Sequence, residues 1–360
     1  MNRAFNFSAG PAVLPLEVLE ESREAVFNYN NTGMSIMEMS HRSKDYDALF
    51  KEAQADCLKI MGLSQDEYYV LFLGGGASLQ FLMIPFNFLK TQADYISTGV
   101  WAKKAIKEAK WVGKTNIVGS SEDANFNYIP DTFNFTPDAD YVHITTNNTI
   151  YGTEWKNNIP DTGNIPLFAD MSSDMFAMHR DWSKYDLIYA GAQKNIGPAG
   201  VTMVVIKKSL LDKKKENVPT MLDYKIHVDN ESLYNTPPCF PVYVVGRTFK
   251  WILKHGLDSI QANNEKKAGL LYDYMDANAD FYKPTVKNVR DRSLMNVCWN
   301  LQTPELEAKF IADAKAKYNM TNLKGHRSVG GVRASIYNAC PNEWVEALVK
   351  FMGEFMKENK

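Results

Sequence analysis

Cysteine and histidine are scarce in this chain, and long apolar runs are missing. Four cysteines occur among 360 residues, at Cys57, Cys239, Cys298 and Cys340. No two of them have the spacing of a metal-binding or redox pair. The six histidines form no zinc-binding pattern. We therefore expect free thiols in a reducing compartment and no metal site.

Signals for export, membrane insertion or nucleic-acid binding are also missing. No apolar run approaches the roughly 20 residues that a membrane-spanning helix needs. The first seven residues, MNRAFNF, lack the apolar core of a signal peptide. The formal net charge is only -2, without long blocks of one sign, which disfavours a nucleic-acid or membrane surface. We expect a cytoplasmic protein that acts on small molecules.

The first two thirds of the chain alternates between helical and strand patterns. Helix-favouring stretches predict helices over residues 16–30, 46–61, 79–89 and 101–109. Short apolar runs between turn residues predict buried strands over residues 69–73, 141–145, 166–169, 187–190 and 201–206. This alternation is typical of an α/β domain with a mostly parallel sheet.

The pattern changes after residue 243. Long helices are predicted there, with strands near 293–301, and the helices cover residues 243–255, 257–278, 304–318 and 343–358. A chain of this length has room for about two domains. We expect a large domain over residues 16–255 and a smaller α+β domain over residues 256–360, which also includes the N-terminal segment 1–15.

Lys194 lies in a run of small residues between two predicted strands. The run YAGAQKNIGPAG covers residues 189–200 and is followed by the apolar segment 201–206. A lysine between buried strands is costly unless its amine has a partner or a reaction to perform. A desolvated amine is a nucleophile, which fits a Schiff base with an aldehyde cofactor. A lysine on a surface loop is the alternative, and the run alone does not decide between them.

A glycine-rich segment follows the strand predicted at residues 69–73. Residues 74–78 read GGGAS and precede a predicted helix, so their backbone N–H groups are placed to hold an anion. The segment lacks the lysine of a nucleotide-binding P-loop. It therefore favours a single phosphate over a nucleotide, and a tight turn without a ligand is the alternative.

Asp170 and Trp101 also lie next to predicted strand and helix ends. Asp170 follows the apolar run 165–169, at the end of a strand where α/β sheets bind ligands. A carboxylate there can keep a pyridine nitrogen protonated, or it can cap the next segment. Trp101 begins a helix, and its indole can stack on a flat ring or pack in the core.

Two histidine–arginine pairs and one further arginine lie in loops that contain glycine and serine. They are His41 with Arg42, His326 with Arg327, and Arg333. Arginine suits planar, bidentate capture of carboxylate and phosphate. Together these residues predict a substrate with two or three negative charges. A surface salt bridge is the alternative for each arginine taken singly.

Several segments match one known pattern in order along nearly the whole chain. They are residues 5–12, 37–42, 190–200, 234–238, 324–327 and 330–338. In these segments the chain resembles the phosphoserine aminotransferase family, which belongs to the class-V pyridoxal-phosphate-dependent aminotransferases. The resemblance implies the type I fold of these transferases, with a mixed, mostly parallel seven-stranded sheet in the large domain and a smaller α+β C-terminal domain.

The resemblance implies pyridoxal 5'-phosphate as the cofactor and assigns residues to it. Lys194 would bond its aldehyde, Asp170 would pair with its ring nitrogen, and Trp101 would stack on its ring. Thr149 would hydrogen-bond near its phenolic oxygen. The residues implied at the cofactor phosphate are Ala77, Ser78 and Gln193, with Asn235 and Thr236 from the neighbouring subunit of a homodimer.

The resemblance also implies the substrates. An amino group would pass between L-glutamate and 3-phosphohydroxypyruvate by a ping-pong mechanism, giving O-phospho-L-serine and 2-oxoglutarate in serine biosynthesis. Arg333 would hold the α-carboxylate, and His41, Arg42, His326 and Arg327 would bind the distal phosphate or carboxylate. Relatives also aminate a phosphorylated intermediate of pyridoxine biosynthesis, and the sequence leaves that activity open.

Two positions depart from the family pattern. Ala9 stands where some members have a serine that touches the substrate, and Ala77-Ser78 replaces a Gly-Arg pair, which removes one side chain that could contact an anion. The alternatives from related families are a serine–glyoxylate aminotransferase, which needs fewer cations, and a cysteine desulfurase, which needs a reactive cysteine. A catalytically silent binding protein is the alternative from another class.

Overall fold

The computed structural model describes residues 3–360, so the first two residues of the predicted N-terminal segment lie outside it. Its helices are α1 (Leu16–Asn28), α2 (Lys44–Met61), α3 (Gly76–Phe88), α4 (Val100–Ala109), α5 (Tyr224–Asp229), α6 (Cys239–His255), α7 (Leu257–Ala277), α8 (Pro304–Tyr318) and α9 (Asn342–Asn359). Its strands are β1 (Phe5–Asn6), β2 (Tyr68–Leu73), β3 (Gln92–Ser97), β4 (Lys114–Ser120), β5 (Val142–Thr145), β6 (Leu167–Asp170), β7 (Leu187–Gly191), β8 (Thr202–Lys207), β9 (Lys283–Pro284), β10 (Asn296–Asn300), β11 (Met320–Thr321) and β12 (Val332–Ser335).

In the described part of the chain, seven strands form one sheet, here called the large sheet. Their order is β2-β8-β7-β6-β5-β3-β4. All neighbours are parallel except β8, which runs antiparallel to both β2 and β7. This sheet confirms the predicted α/β class with a mixed, mostly parallel sheet. Strands β5, β6 and β7 are buried along their whole length, as expected for a parallel sheet that is covered on both faces.

Alternation along β2 shows why the large sheet is buried on both faces. Val70 and Phe72 point into one apolar cluster with α2 and α6, whereas Leu71 and Leu73 point into another with α3 and α4. Helix α2 is well delimited: Ser43 accepts a hydrogen bond from its first turn, and Gly62 ends it in the left-handed conformation. No helix within residues 3–360 has both the length and the apolar character required to span a bilayer.

The C-terminal part of the chain is built around a second, smaller sheet. Strands β12, β10 and β9 form an antiparallel sheet, here called the small sheet, and α7, α8 and α9 pack with it around a separate apolar core. The short strand β1 pairs with β11 beside it, and Phe7 and Val13 belong to the same core. The α+β character predicted for this region is confirmed, while the boundaries at 15/16 and 255/256 stay a prediction.

The main differences from the predicted elements lie at helix starts and in elements that were not predicted, which are α5 and the strands β1, β3, β4, β9, β11 and β12. Helix α8 has the predicted bounds, but α3 begins at Gly76, three residues before the prediction, so the last three residues of the GGGAS segment lie in its first turn. Strands β3 and β4 were not predicted. Both mix polar and apolar residues, and β4 is a partly exposed edge strand.

Candidate active site

A cavity of about 130 Å³ opens at the carboxyl ends of β5 and β6. It is lined by Gly76, Ala77, Ser78, Trp101, Thr145, Asn147, Thr149, Asp170, Ser172, Ser173, Gln193 and Lys194. Ligands of α/β sheets bind in this position, beyond the strand ends. The structure therefore brings together most of the residues that the sequence assigned to a cofactor.

Lys194 is held on the link between β7 and β8. The link is closed by a backbone hydrogen bond from Ala192 to Val201 (2.9 Å), and Lys194 Nζ donates to Thr149 Oγ1 at 2.8 Å. The residue is half-buried because the cavity opens to solvent. Burial of the amine lowers the pKa of Lys194 to about 8, although the charge of Asp170 opposes this shift. The amine is therefore far easier to deprotonate than that of a surface lysine.

Asp170 is the last residue of β6 and faces the same cavity. Its side chain is almost fully buried, and Oδ1 accepts a hydrogen bond from the Ser172 backbone at 2.9 Å. Burial raises the pKa of Asp170, and hydrogen bonds from Ser172 and the charge of Lys194 oppose that rise. A cationic ring nitrogen in the cavity would give this carboxylate a further partner. Asp170 thus caps the following segment and also faces the ligand space.

The first turn of α3 forms the opposite, anion-binding end of the cavity. Gly75 precedes it with φ of 85°, and a Cβ there would lie 2.5 Å from the Leu79 side chain, so a glycine is required. The N–H groups of Gly76, Ala77 and Ser78 lie at the start of this 13-residue helix, where the helix dipole favours a negative charge. Gln193 lines the same cavity.

Two buried polar atoms in the cavity wall indicate that a ligand completes it. Among the described residues, the Thr145 hydroxyl and the Trp101 indole nitrogen have no hydrogen-bond partner. The Trp101 ring lies 5.7 Å from Lys194 Nζ, measured to its centroid. An amine, a carboxylate, an aromatic face and an anion-binding helix start thus surround one space. These residues fit pyridoxal phosphate, which has an aldehyde, a ring nitrogen, a flat ring and a phosphate.

Arg333 contacts a residue of the cavity wall, and His326 is close enough to Arg333 and Arg327 for their charges to interact. Arg333 Nη1 donates to the Thr149 carbonyl at 3.0 Å, and its Nε is buried without a partner in the described chain. Burial lowers the pKa of His326, and the positive charges of Arg333, Arg327 and Lys104 lower it further. These side chains therefore form one cationic group. Lys104 was not predicted to belong to it.

Four predicted site residues are not brought to this cavity in the described chain. Arg42 is exposed and its Nε donates to His41 Nε2 at 3.4 Å, on the loop before α2. Asn235 and Thr236 are exposed on the segment before α6. The sequence assigned Asn235 and Thr236 to the neighbouring subunit, and their exposure is compatible with that assignment.

The sequence analysis missed several polar residues of the cavity wall. Thr145 is the last residue of β5 and Asn147 follows it, and Ser172 and Ser173 follow the end of β6. Their common signal is a polar residue directly after a buried parallel strand, where the chain reaches the ligand edge of the sheet.

Comparison with known proteins agrees with this geometry. The aminotransferase class-V family model matches residues 4–348. The phosphoserine aminotransferase of Desulfosudis oleivorans is 51% identical to the chain, over 99% of each. A solved phosphoserine aminotransferase from Bacillus circulans subsp. alkalophilus is similar at a TM-score of 0.96 and 48% identity, with 99% of each chain covered. A pyridoxal-phosphate-bound phosphoserine aminotransferase from Trichomonas vaginalis has a TM-score of 0.91 and 39% identity, with 98% and 100% covered.

These matches extend over nearly the full length of the chain and include the segments that carry Lys194, Asp170 and the glycine-rich turn. The identity is far above the level at which a shared fold alone is shown. This chain belongs to the class-V aminotransferases and, within them, to the phosphoserine aminotransferase family.

Proposed function

We propose that the chain is a pyridoxal-phosphate-dependent phosphoserine transaminase. It transfers the amino group between L-glutamate and 3-phosphohydroxypyruvate, giving O-phospho-L-serine and 2-oxoglutarate, in serine biosynthesis. The observation that carries the proposal is the placement of Lys194 and Asp170 in one cavity, with the amine pKa lowered to about 8. The relatives' names support phosphoserine and amino-group transfer, and the other substrates are those that the family resemblance implies.

The side chains at the bottom of the cavity hold and move protons. When bound, pyridoxal phosphate supplies an aldehyde that exchanges amino groups and a ring that accepts the electrons of a developing carbanion. Uncharged Lys194 would hold the aldehyde carbon, and its amine, once displaced by the substrate's amino group, would move the proton at the substrate Cα. Asp170 would hold the proton of the ring nitrogen. Thr149, which accepts from Lys194 Nζ, orients the amine.

The wall and the helix start position the cofactor. Ala77 and Ser78 offer backbone N–H groups to its phosphate, and Gln193 offers its side-chain amide. Trp101 would stack on the ring and keep water from one face.

The cationic group binds the two negatively charged ends of the substrate. Arg333 binds the α-carboxylate, and its buried, unpartnered Nε in the described chain supports this role. His326 and Arg327, with His41 and Arg42, bind the distal phosphate or carboxylate. Both groups are compact oxyanions, so one pocket accepts glutamate and the phosphorylated keto acid in turn, as a ping-pong reaction requires.

The predicted site residues that stay away from the cavity support a homodimer, since Arg42, Asn235 and Thr236 are exposed and His41 is only partly buried. Asn235 and Thr236 would reach the cofactor phosphate of the partner subunit. Large apolar side chains are exposed on the same segments. Tyr234, next to Asn235, is 45% exposed; Met37, between α1 and α2, is 62% exposed; and Phe27, near the end of α1, is 78% exposed. Exposed large apolar side chains that are close in the chain to polar site residues favour an interface at these segments. We infer that a second copy covers it and completes the cavity.

Burial of the cysteines argues against a cysteine desulfurase. Burial raises the pKa of Cys298 to about 12 and that of Cys340 to about 11, so both stay protonated near neutral pH. Burial also raises the pKa of Cys57, and Cys239 is shifted upward as well. A thiolate nucleophile is disfavoured at each of these positions.

The domain division and the cellular location also stay proposals. A large domain over residues 16–255 and a small domain over residues 256–360 with 1–15 are supported by the separate apolar core around the small sheet. A cytoplasmic location is supported by the cysteines, which are all free within residues 3–360.

The activity is tested with purified protein and added pyridoxal phosphate. Glutamate should change the absorbance of the bound cofactor, and a coupled assay should detect phosphoserine formation from 3-phosphohydroxypyruvate. Running the phosphorylated keto acid of pyridoxine biosynthesis in parallel compares the two activities. A protein that binds the cofactor but gives no turnover with either keto acid contradicts the proposal.

Subunit mixing tests the shared site. A Lys194→Ala protomer and an Asn235→Ala/Thr236→Ala protomer are each expected to have low activity. A mixed dimer contains one fully native cavity, so activity should reappear after the two variants are mixed and re-associated. If both variants form dimers and mixing restores nothing, the residues at 235 and 236 do not act across the interface.

A further inference from the structure

A buried pair of asparagines connects the large sheet to the small sheet. Asn147 follows β5 and is 2% exposed, and Asn296 begins β10 and is fully buried. Asn147 Nδ2 donates to Asn296 Oδ1 at 2.7 Å. Neither residue was predicted to contribute to the site, and Asn296 does not line the cavity in the described chain.

The nitrogen and the oxygen of the Asn147 side-chain amide both have hydrogen-bond partners. Its nitrogen donates to Ser173 Oγ at 2.8 Å as well as to Asn296, and its oxygen accepts from Ser293 Oγ at 2.6 Å. Reversing the amide would place two donors or two acceptors against each other at both ends. The orientation of the Asn147 side chain is therefore determined by its neighbours.

The Asn296 amide is equally constrained. Its nitrogen donates to Ser335 Oγ at 2.9 Å and to the Tyr337 hydroxyl at 3.2 Å, and its oxygen accepts from Asn147. Ser335 is the last residue of β12 and lies opposite Asn296 in the small sheet. Asn296 thus binds β12 through its side chain and also through the strand pairing.

These hydrogen bonds lead to Lys194 at one end and to the strand that carries Arg333 at the other. In the large sheet, Ser173 Oγ accepts from Thr149 Oγ1 at 3.0 Å, and Thr149 accepts from Lys194 Nζ. In the small sheet, Arg333 lies two residues before Ser335 on β12, and its Nη1 donates to the Thr149 carbonyl. A continuous set of short hydrogen bonds therefore joins the amine of Lys194 to the strand that carries Arg333.

We propose that Asn296 is a positioning residue that acts through Asn147 to hold Arg333 at a set separation from Lys194. The substrate must place its α-carboxylate on Arg333 while its α-amino group lies within reach of the Lys194 amine. The inference rests on the proposed function, because it takes Arg333 as the α-carboxylate ligand. Losing the amide frees β12 to shift and leaves buried polar groups unpaired.

Asn296→Leu tests the proposal, with Asn87→Leu as a matched control. Asn87 is also a fully buried asparagine, and it bonds the Met83 and Leu222 carbonyls and the Tyr224 backbone inside the large sheet's helical layer. We expect Asn296→Leu to raise the KM for glutamate about tenfold with a smaller change in kcat. The inhibition constant of inorganic phosphate, which reports the distal anion site, should stay within about twofold. Asn87→Leu should change neither constant.

A double-mutant cycle with Arg333→Ala separates positioning from general damage. If Asn296 acts through Arg333, Asn296→Leu has little further effect on glutamate KM once Arg333 is alanine. An equal effect in both backgrounds overturns the inference and leaves the proposed function intact. If Arg333→Ala alone does not raise the KM for glutamate, the assigned role of Arg333 fails, and the inference fails with it.

Ser335→Ala keeps the proposal testable if Asn296→Leu does not fold. It removes one of the two acceptors of Asn296 and leaves the Tyr337 hydroxyl. We expect a smaller rise in glutamate KM of about two- to threefold, which also vanishes when Arg333 is alanine. A Ser335→Ala enzyme with native glutamate KM overturns the inference.

Discussion

Two groups of predicted site residues, here called the floor and the rim, are organised in opposite ways. On the floor, Lys194, Thr149 and Asp170 sit at or next to strand ends and are joined to neighbouring groups by short hydrogen bonds. Arg42 and Arg327, the two predicted anion-binding arginines here called the rim, lie exposed on loops. The predicted reacting groups are therefore held by hydrogen bonds within one chain, whereas these two arginines stay hydrated at the surface.

The difference follows from the cost of burial. A buried amine or carboxylate must have partners, and strand ends supply backbone and side-chain groups at determined positions. Arginines at the rim stay hydrated and adaptable, which suits a pocket that takes a carboxylate in one half-reaction and a phosphate in the other. We expect floor substitutions to act mainly on kcat and rim substitutions mainly on KM.

The largest effect is expected at Lys194. Lys194→Ala should lower kcat by at least about 10²–10⁴-fold, the usual contribution of a positioned proton-transfer group, while the protein remains folded. Steady-state assays with glutamate measure the loss, and circular dichroism checks the fold.

Lys267 provides a matched control for chemical labelling of the floor. It is also buried, its pKa is lowered to about 8, and its amine donates to the carbonyls of Ile336, Tyr337 and Cys340. Borohydride reduction of the holoprotein and peptide mapping should place the pyridoxyl group on Lys194 and leave Lys267 unlabelled. A label on Lys267 would show that a lowered pKa alone selects the amine.

The next effect is expected at the rim. Arg327→Ala and Arg42→Ala should each raise the KM for 3-phosphohydroxypyruvate by about 10- to 150-fold, because each removes a charged hydrogen bond to the phosphate. The KM for an amino donor with an uncharged side chain, such as alanine, should change much less. Arg23, which is exposed and paired with Glu24, serves as the control. Equal effects on both substrates would mean that these arginines do not bind the distal phosphate or carboxylate.

A smaller effect is expected when pH is varied. Only an uncharged amine can attack an aldehyde, and the pKa of Lys194, about 8, lies below that of a free lysine because of burial. Capture of added pyridoxal phosphate by the apoprotein should therefore accelerate about fivefold between pH 7 and pH 8 and level off above pH 9. Stopped-flow absorbance measures this rate.

The same measurement on Asp170→Asn sharpens the pH prediction. The negative charge of Asp170 raises the pKa of Lys194, so removing it should move the midpoint of the pH profile downward. A midpoint that stays near 10.5 in the native protein would show that the amine is not desolvated.

The smallest effect is expected at the wall. Trp101→Leu should raise the dissociation constant of pyridoxal phosphate about threefold through the loss of stacking, as measured by equilibrium titration of the apoprotein. Trp111→Leu is the control, since Trp111 follows the same helix but is 80% exposed. Comparable losses for both variants would contradict a stacking role for Trp101.

The central strands could be predicted from the sequence because strands that are buried on both faces form continuous apolar runs. The sequence analysis missed β3, where Asp94 is fully buried among apolar neighbours. The carboxylate of Asp94 accepts hydrogen bonds from Thr136 and Asn116, which come from later parts of the chain. A charge inside a strand is tolerable only because of these distant partners, and a local pattern does not contain them.

The site shows the same division between local and distant information. Lys194 and the glycine-rich turn could be predicted because small residues and strand ends surround them in the sequence. Asn147 and Asn296 could not, since each becomes significant only when the other lies 2.7 Å away. The cations at positions 41 and 42 could be predicted by residue type, but the described chain does not bring them to the cavity.

The pairing of β1 with β11 has a consequence for the newly made chain. Phe5 lies opposite Met320, and Phe7 adds a backbone hydrogen bond to Thr321. Ribosomes add roughly 5–20 residues per second, so the first strand waits on the order of 15–60 s before its partner is synthesised. During translation the earliest segment stays without its neighbour while the large sheet is already available to form, and the C-terminal core is completed last.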